Sequence, residues 1–325
     1  MRTLSLCALV LLHMCNPGFA EEPTAGPFHP ECEKAFESLV RKIPSLLDSD
    51  PTFKLEELVE KNVQDFLEYD SKCLVDIKYA KPLTIDFVKK HLVVLFAVSG
   101  DDYSIVCSGF RISQDLIVTA QHCREQFRFN SVAVRLFSLP DNDLRVVGRV
   151  YPAALSSRVR DINDFIIYRI ENPGDTYIGG SEDLSLTHLS QQAVIVVAAS
   201  SVSFRHILSS DPHRWREAVR FSRVNGARVF EAIEDGLPNR PEHCLLHGSP
   251  TYPGMSGAAV AGIWRDASSP YGARLAIIGI HLRNGRDAGR FEIKNGNCGS
   301  DNNYNIGIFL PKTVVEEGSR MEKAQ

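Results

Sequence analysis

The chain has 325 residues, 44% of them hydrophobic, and a net charge of −4. That is enough apolar material for one large domain, or two smaller ones, with real cores. The mildly acidic balance, without a long basic run, argues against nucleic acid as a partner.

The opening stretch, MRTLSLCALVLLHMCNPGFA, has Arg2, an apolar run from Leu4 to Met14, and small residues ending at Ala20. This pattern predicts a secretory signal over 1–20, and the apolar run is too short to span a bilayer. No later segment reaches membrane-spanning length. Cys15 as a lipid-attachment site is disfavoured by His13 and Met14 before it. Removing the signal leaves six cysteines: Cys32, Cys73, Cys107, Cys123, Cys244 and Cys298. An even count in an exported chain reads as disulfides. Six allow fifteen pairings, and neighbourhood suggests Cys32–Cys73, Cys107–Cys123 and Cys244–Cys298. Zinc is the weaker reading, because the spacings lack close cysteine pairs. No metal and no cofactor are expected.

Residues 21–85 carry two helical patterns. Phe36, Leu39, Val40, Ile43, Leu46 and Leu47 form one stripe, ended or kinked by Pro44. Leu55, Leu58, Val59, Val63, Phe66 and Leu67 form a second, with Thr52 as its expected N-cap. The two predict a helical hairpin stapled by Cys32–Cys73. It is too small to hold a core alone, so it should pack on the strand-rich remainder of the chain.

From His91 the pattern changes to short branched or alternating runs. These are HLVVLFAVS, YSIVCSGFRIS, DLIVTA, SVAVRLFSL, RVVGRVYPA, DFIIYRI, AVIVVAAS, HCLLH, GAAVAGIW, LAIIGIHL and NIGIFL. Many short strands without long helices between them predict an antiparallel barrel or sandwich. DPHRWREAVRF reads as a turn of helix or another strand. The tail after Pro311 reads as a short helix or a frayed end.

Three chemical candidates stand out. His122 directly follows an apolar strand and precedes Cys123. Asp164 opens the apolar run DFIIYRI, where a buried carboxylate needs hydrogen-bond partners. Asp161 is its rival in the polar lead-in. Ser256 lies between Gly254 and Gly257 in SPTYPGMSGAAV, where glycines permit a sharp turn.

The order His122, Asp164, Ser256 fits a Ser-His-Asp template. With TAQHC, DFIIYRI and GMSGAAV as the carrying motifs, residues 90–312 resemble the trypsin-like (chymotrypsin-fold) serine proteases, and Cys107–Cys123 matches that family's bridge across the histidine loop. The resemblance implies a mainly β fold: a double antiparallel β-barrel of six strands each, with the small helical segment at its N-terminus. The protease domain then covers 86–325. His122 is implied as general base, Asp164 as its orienting acid and Ser256 as nucleophile. The N–H groups of Gly254 and Ser256 are implied as the oxyanion hole, each such donor being worth about 3 kcal/mol.

The chain departs from the digestive members in two ways. Met255 stands where trypsins carry the aspartate that pairs with a newly cut N-terminus, and no IVGG-like start occurs near 80–90. Activation by that ion pair is therefore not expected, and 21–85 is expected to remain attached rather than act as a discarded pro-segment. The position of trypsin's lysine- and arginine-binding aspartate falls near Pro250, so basic specificity is not expected. The strand AIIGIHLRNG is instead similar to the specificity strand of bacterial glutamyl endopeptidases. That similarity implies His281, with Thr251, as the site for a glutamate side chain, and Arg283 as an added positive charge. Glutamine or a small apolar residue is the main competitor.

The resulting expectation is a secreted or periplasmic serine endopeptidase acting on protein or peptide substrates. The competing reading is a catalytically silent binding protein that keeps the fold. A quality-control protease of the envelope is a third.

Overall fold

A computed structural model describes 62–99, 102–126, 132–138, 144–155, 160–171, 179, 183–186, 194–200, 212–222, 229–231, 243–251, 254–283, 298 and 305–322, with 31, 32, 34, 35 and 38. The expected signal, every residue of the first helical stripe, Leu55, Leu58 and Val59 of the second, and the Thr52 cap lie outside the described residues.

Of the expected hairpin, Glu31, Cys32, Lys34, Ala35 and Ser38 are helical. The second helix, α1, spans Val63–Cys73, and a Cys32–Cys73 disulfide joins the two. A short strand comes next, β1 (Leu74–Asp76), and then α2 (Pro82–His91). Pro82 sits at a helix start, where its missing N–H costs no intrahelical bond. Helix α2 was not expected from the sequence. It runs straight into β2 because Leu92 turns extended.

Strands β2 (Leu92–Ser99), β3 (Asp102–Arg111), β4 (Leu116–Thr119), β5 (Val132–Leu136), β6 (Leu144–Tyr151) and β7 (Ile166–Ile170) close an antiparallel barrel in the order β2-β3-β4-β7-β6-β5. Closure leaves no unpaired edge. Val94, Phe96, Phe110, Ile117 and Ile167 of these strands are all essentially inaccessible.

The second unit is an eight-stranded antiparallel sheet, ordered β1-β9-β8-β12-β13-β14-β11-β10. It is built from β1, β8 (Val194–Ala199), β9 (Val219–Ser222), β10 (Val229–Glu231), β11 (Cys244–His247), β12 (Ala259–Arg265), β13 (Ala273–Arg283) and β14 (Asn305–Phe309). Every residue of β8 is buried, because the strand faces apolar groups on both sides. Ile195, Val197 and Ala199 join the large core that continues into the barrel. Val194, Val196 and Ala198 join a second core with Ala35, Phe66, Tyr69, Met255, Val260 and Phe309. The N-terminal helical residues thus cover one face of the sheet. The ambiguous DPHRWREAVRF is both things expected of it: a 3-10 turn over Pro212–Ala218, then β9. The tail forms α3 (Lys312–Glu322). No helix among the described residues is long and apolar enough to cross a membrane.

Candidate active site

Strand β4 ends at Thr119, and a 3-10 turn over Gln121–Gln126 carries His122 at its start. The Cys107–Cys123 disulfide ties that turn to β3. Asp164 closes the neighbouring turn Asp161–Asn163, its N–H donating to the Asp161 carbonyl at 3.1 Å. Its carboxylate is buried, and both oxygens face His122. The His122 backbone N–H donates to Oδ1 at 2.8 Å, and the ring Nδ1–H donates to Oδ2 at 2.6 Å. Two bonds to one carboxylate fix both the position and the tautomer of the ring. Burial by itself lowers the His122 pKa, but the charge and hydrogen bond of Asp164 outweigh it, and the net displacement is upward from 6.5.

The Ser256 loop reaches from the second sheet onto the first barrel. Gly254 and Gly257 have φ of 92° and 85°, a region side chains rarely enter. At Gly257 space is equally decisive: a Cβ would lie 2.3 Å from both the Ser108 carbonyl oxygen and Thr119 Oγ1. Ser108 of β3 holds the loop twice. Its N–H donates to the Ser256 carbonyl at 2.9 Å, and its Oγ–H to the Gly254 carbonyl at 3.0 Å. On the other side the Gly257 N–H donates to the His281 carbonyl at 2.7 Å, and the His281 N–H to the Ala258 carbonyl at 2.9 Å. The loop is therefore clamped between β3 and β13. Met255 points away from this clamp into the second core and is fully buried.

Thr251 and His281 are both buried below this loop. His281 Nδ1 lies 3.1 Å from His247 Nε2, a partner not expected from the sequence. Burial lowers the His247 pKa to about 3. Burial, then the charges of His247 and His122, drives His281 well below its ordinary value. Both rings are neutral at pH 7.

Arg283 does not stand free beside His281. Its Nη2–H donates to Asp161 Oδ2 at 2.6 Å, and the same oxygen accepts the Cys298 N–H at 2.7 Å. Asp161, the sequence rival of Asp164, is thus the acid that ties the first barrel's turn to the end of β13. The third disulfide, Cys244–Cys298, also forms, so all three neighbour pairings of the sequence are present.

Sequence reasoning missed Ser108, Tyr69 and His247. Only His247 left a signal, in the run HCLLH, where its burial was legible but its partner was not. Among the described residues no cluster of His, Cys, Asp or Glu could hold a metal ion.

Residues 88–216 match the family model described as Trypsin. They make the closed barrel and carry His122 and Asp164, while Ser256 lies beyond them. No curated protein matches the chain. Among solved structures, mouse neuropsin, a serine protease expressed in the limbic system of the brain, is 15% identical, covering 73% of this chain and 94% of its own at a TM-score of 0.45. A Glu endopeptidase in complex with MPD is 14% identical, covering 78% of this chain and 97% of its own at a TM-score of 0.47. The Trypsin match thus lies on the barrel that holds the His122–Asp164 pair, and over that barrel the chain is similar to the trypsin-like serine proteases.

Proposed function

We propose that the protein is an exported endopeptidase that cuts peptide bonds through His122, Asp164 and Ser256. The observation that carries this is the pair of hydrogen bonds from His122 to Asp164, which leaves Nε2 as the ring's only nitrogen free for a reacting hydroxyl. Ser256 attacks the scissile carbonyl carbon as His122 Nε2 takes its proton. The imidazolium that forms is stabilised by Asp164 and returns the proton to the leaving amine. Water, deprotonated by the same ring, then releases the acyl group. The carbonyls of Gly254 and Ser256 are held by Ser108, and their N–H groups have no acceptor among the described residues. That leaves both donors for the oxyanion.

The side chain before the scissile bond enters beside Thr251 and His281. A buried imidazole and a hydroxyl there suit a hydrogen-bonding side chain, with glutamate the sequence's expectation. Three disulfides support export, since they persist in oxidising compartments. Residues 21–85 remain with the enzyme in this reading. Their helical residues cover the sheet face that holds Met255, where the family's activation aspartate would need a charged partner.

A peptide-library digest with Ser256→Ala alongside tests this. Cleavage by the native protein alone, with Ser256 labelled by a fluorophosphonate, is the expected result. No cleavage and no labelling would turn the reading to a binding protein.

A further inference from the structure

The register of three strands brings two histidines together. His281 of β13 pairs with Gly307 of β14, which pairs on its other side with Leu245 of β11; His247, two residues on, pairs with Asn305. Residues paired across strands share a face, as do residues two apart. His281, Gly307, Asn305 and His247 therefore stand on one face. The two rings meet edge to face with centroids 5.1 Å apart.

The Nε2···Nδ1 contact holds one proton. If His281 supplied it, His247 would bury its Nδ1–H without an acceptor, since that atom has no partner. If His247 supplies it, a lone pair is orphaned instead, which is the commoner arrangement in proteins. The favoured tautomer leaves His281 with an Nε2–H donor. The hydroxyls of Ser249 and Thr251 are also buried without partners. Asn305 commits its amide to the Ser249 carbonyl at 2.6 Å. No carboxylate of the described residues pairs with either ring, and Arg283 is matched by Asp161. Among the described residues the groups that meet the two rings are polar and uncharged.

We infer that this site reads the uncharged form of the side chain before the scissile bond: the amide of glutamine, whose carbonyl oxygen accepts from His281 Nε2–H, with His247 as the positioning residue that sets the tautomer. This rests on the proteolytic reading above and takes glutamine, the competitor named in the sequence, over glutamate. A carboxylate entering here would lose its water without meeting a cation, which is costly. The groups facing His281 all favour its neutral form: His247 from β11 and His122 from the turn after β4, with Arg283 on its own strand already neutralised by Asp161.

The test compares kcat/KM for three peptides differing only in Gln, Glu or Leu before the scissile bond, from pH 5 to 8. Taking the Glu/Gln ratio cancels the titration of His122. The expected result at pH 8 is Gln ahead of Glu by about a thousandfold or more, because a side chain with a pKa of about 4.3 is protonated there to less than about one part in a thousand. The ratio should then close by about tenfold per pH unit as protonated glutamate accumulates. In His247→Phe, the Gln/Leu ratio should fall while the Leu peptide is still cut. Glu equal to or ahead of Gln at pH 8 overturns the inference, as does Leu ahead of both. An unchanged Gln/Leu ratio in His247→Phe overturns the role of His247, and the native pH series decides the rest if that variant does not fold. Absence of all cleavage with no labelling of Ser256 is the separate failure of the proteolytic reading, and it takes the inference with it.

Discussion

The Tyr69 hydroxyl donates a 2.9 Å hydrogen bond to the Thr251 carbonyl, joining helix α1 to the arm that leads into the Ser256 loop across 182 positions of sequence. Both residues are buried. The adjacent Asp70 accepts from Arg220 of β9 at 2.9 Å, and β1 pairs with the same strand. The N-terminal segment is thus held to the second sheet by an apolar face, an ion pair, a strand and this hydrogen bond. Tyr69→Phe keeps the ring and removes the bond. It should lower unfolding stability by about 1 kcal/mol and raise KM more than it lowers kcat. Urea denaturation and steady-state kinetics check both.

Deleting the N-terminal segment should do far more. A chain beginning at residue 86 would expose Val194, Val196, Ala198, Met255 and Val260 on one sheet face. Apolar surface of that extent drives association. The expected outcome is an insoluble or aggregated product, read by gel filtration; a soluble, active monomer would show the segment to be dispensable.

On the proposed mechanism, His122 sets the pH dependence. Its pKa lies above 6.5 because Asp164 outweighs the effect of burial. The acid limb of kcat/KM should therefore fall above pH 6.5, with activity rising as the ring loses its proton. Stability runs the other way. The folded state holds this proton more tightly than the unfolded chain, so the pair's contribution is complete below the unfolded value and is lost as pH rises through the folded one. Asp164→Asn should move the acid limb down and lower kcat by about 10⁴, measured in a pH–rate series.

Gly257→Ala places a methyl group 2.3 Å from two oxygens, on a backbone with φ of 85°. Strain of both kinds should cost about 3 kcal/mol or more. Activity should fall further than stability, since the Ser256 backbone must shift. Thermal unfolding and active-site titration separate the two.

Asp161 and Arg283 act on His122 in opposite senses, the arginine lowering its pKa and the aspartate raising it. Arg283→Met should raise the acid limb, and Asp161→Asn should lower it. Asp161→Asn should also destabilise by about 3 kcal/mol, because it leaves a largely buried guanidinium without its counter-charge. Denaturation melts of the two variants, with their pH–rate profiles, test this pairing.

Much of this molecule could be read along the chain, because the readable features are local. Alternating apolar runs marked eleven of the strands, including all six of the closed barrel. Neighbouring cysteines paired as their spacing suggested, since each bridge joins segments that adjacent elements bring together. His122, Asp164 and Ser256 stood out as candidates because their surrounding motifs carry turn chemistry that can present a side chain. Helix α2 escaped notice because it is one short element fused to a strand, and β1 and β10 because three residues give too little alternation to register.

What the chain order could not reveal is which polar group meets which. Asp161 and Asp164 are rivals three residues apart on one turn, and the packing of that turn against His122 on one side and β13 on the other gives each a partner of its own. Arg283 read as a free charge until Asp161 met it. His247 and His281 are 34 positions apart and touch because the register of β11, β14 and β13 puts them on one face. Sequence by itself determined the elements and the reactive residue types, because periodicity and turn chemistry act over a few residues. Tertiary structure alone decided the charge state of the site, because that depends on burial and on partners that only strand register brings into contact.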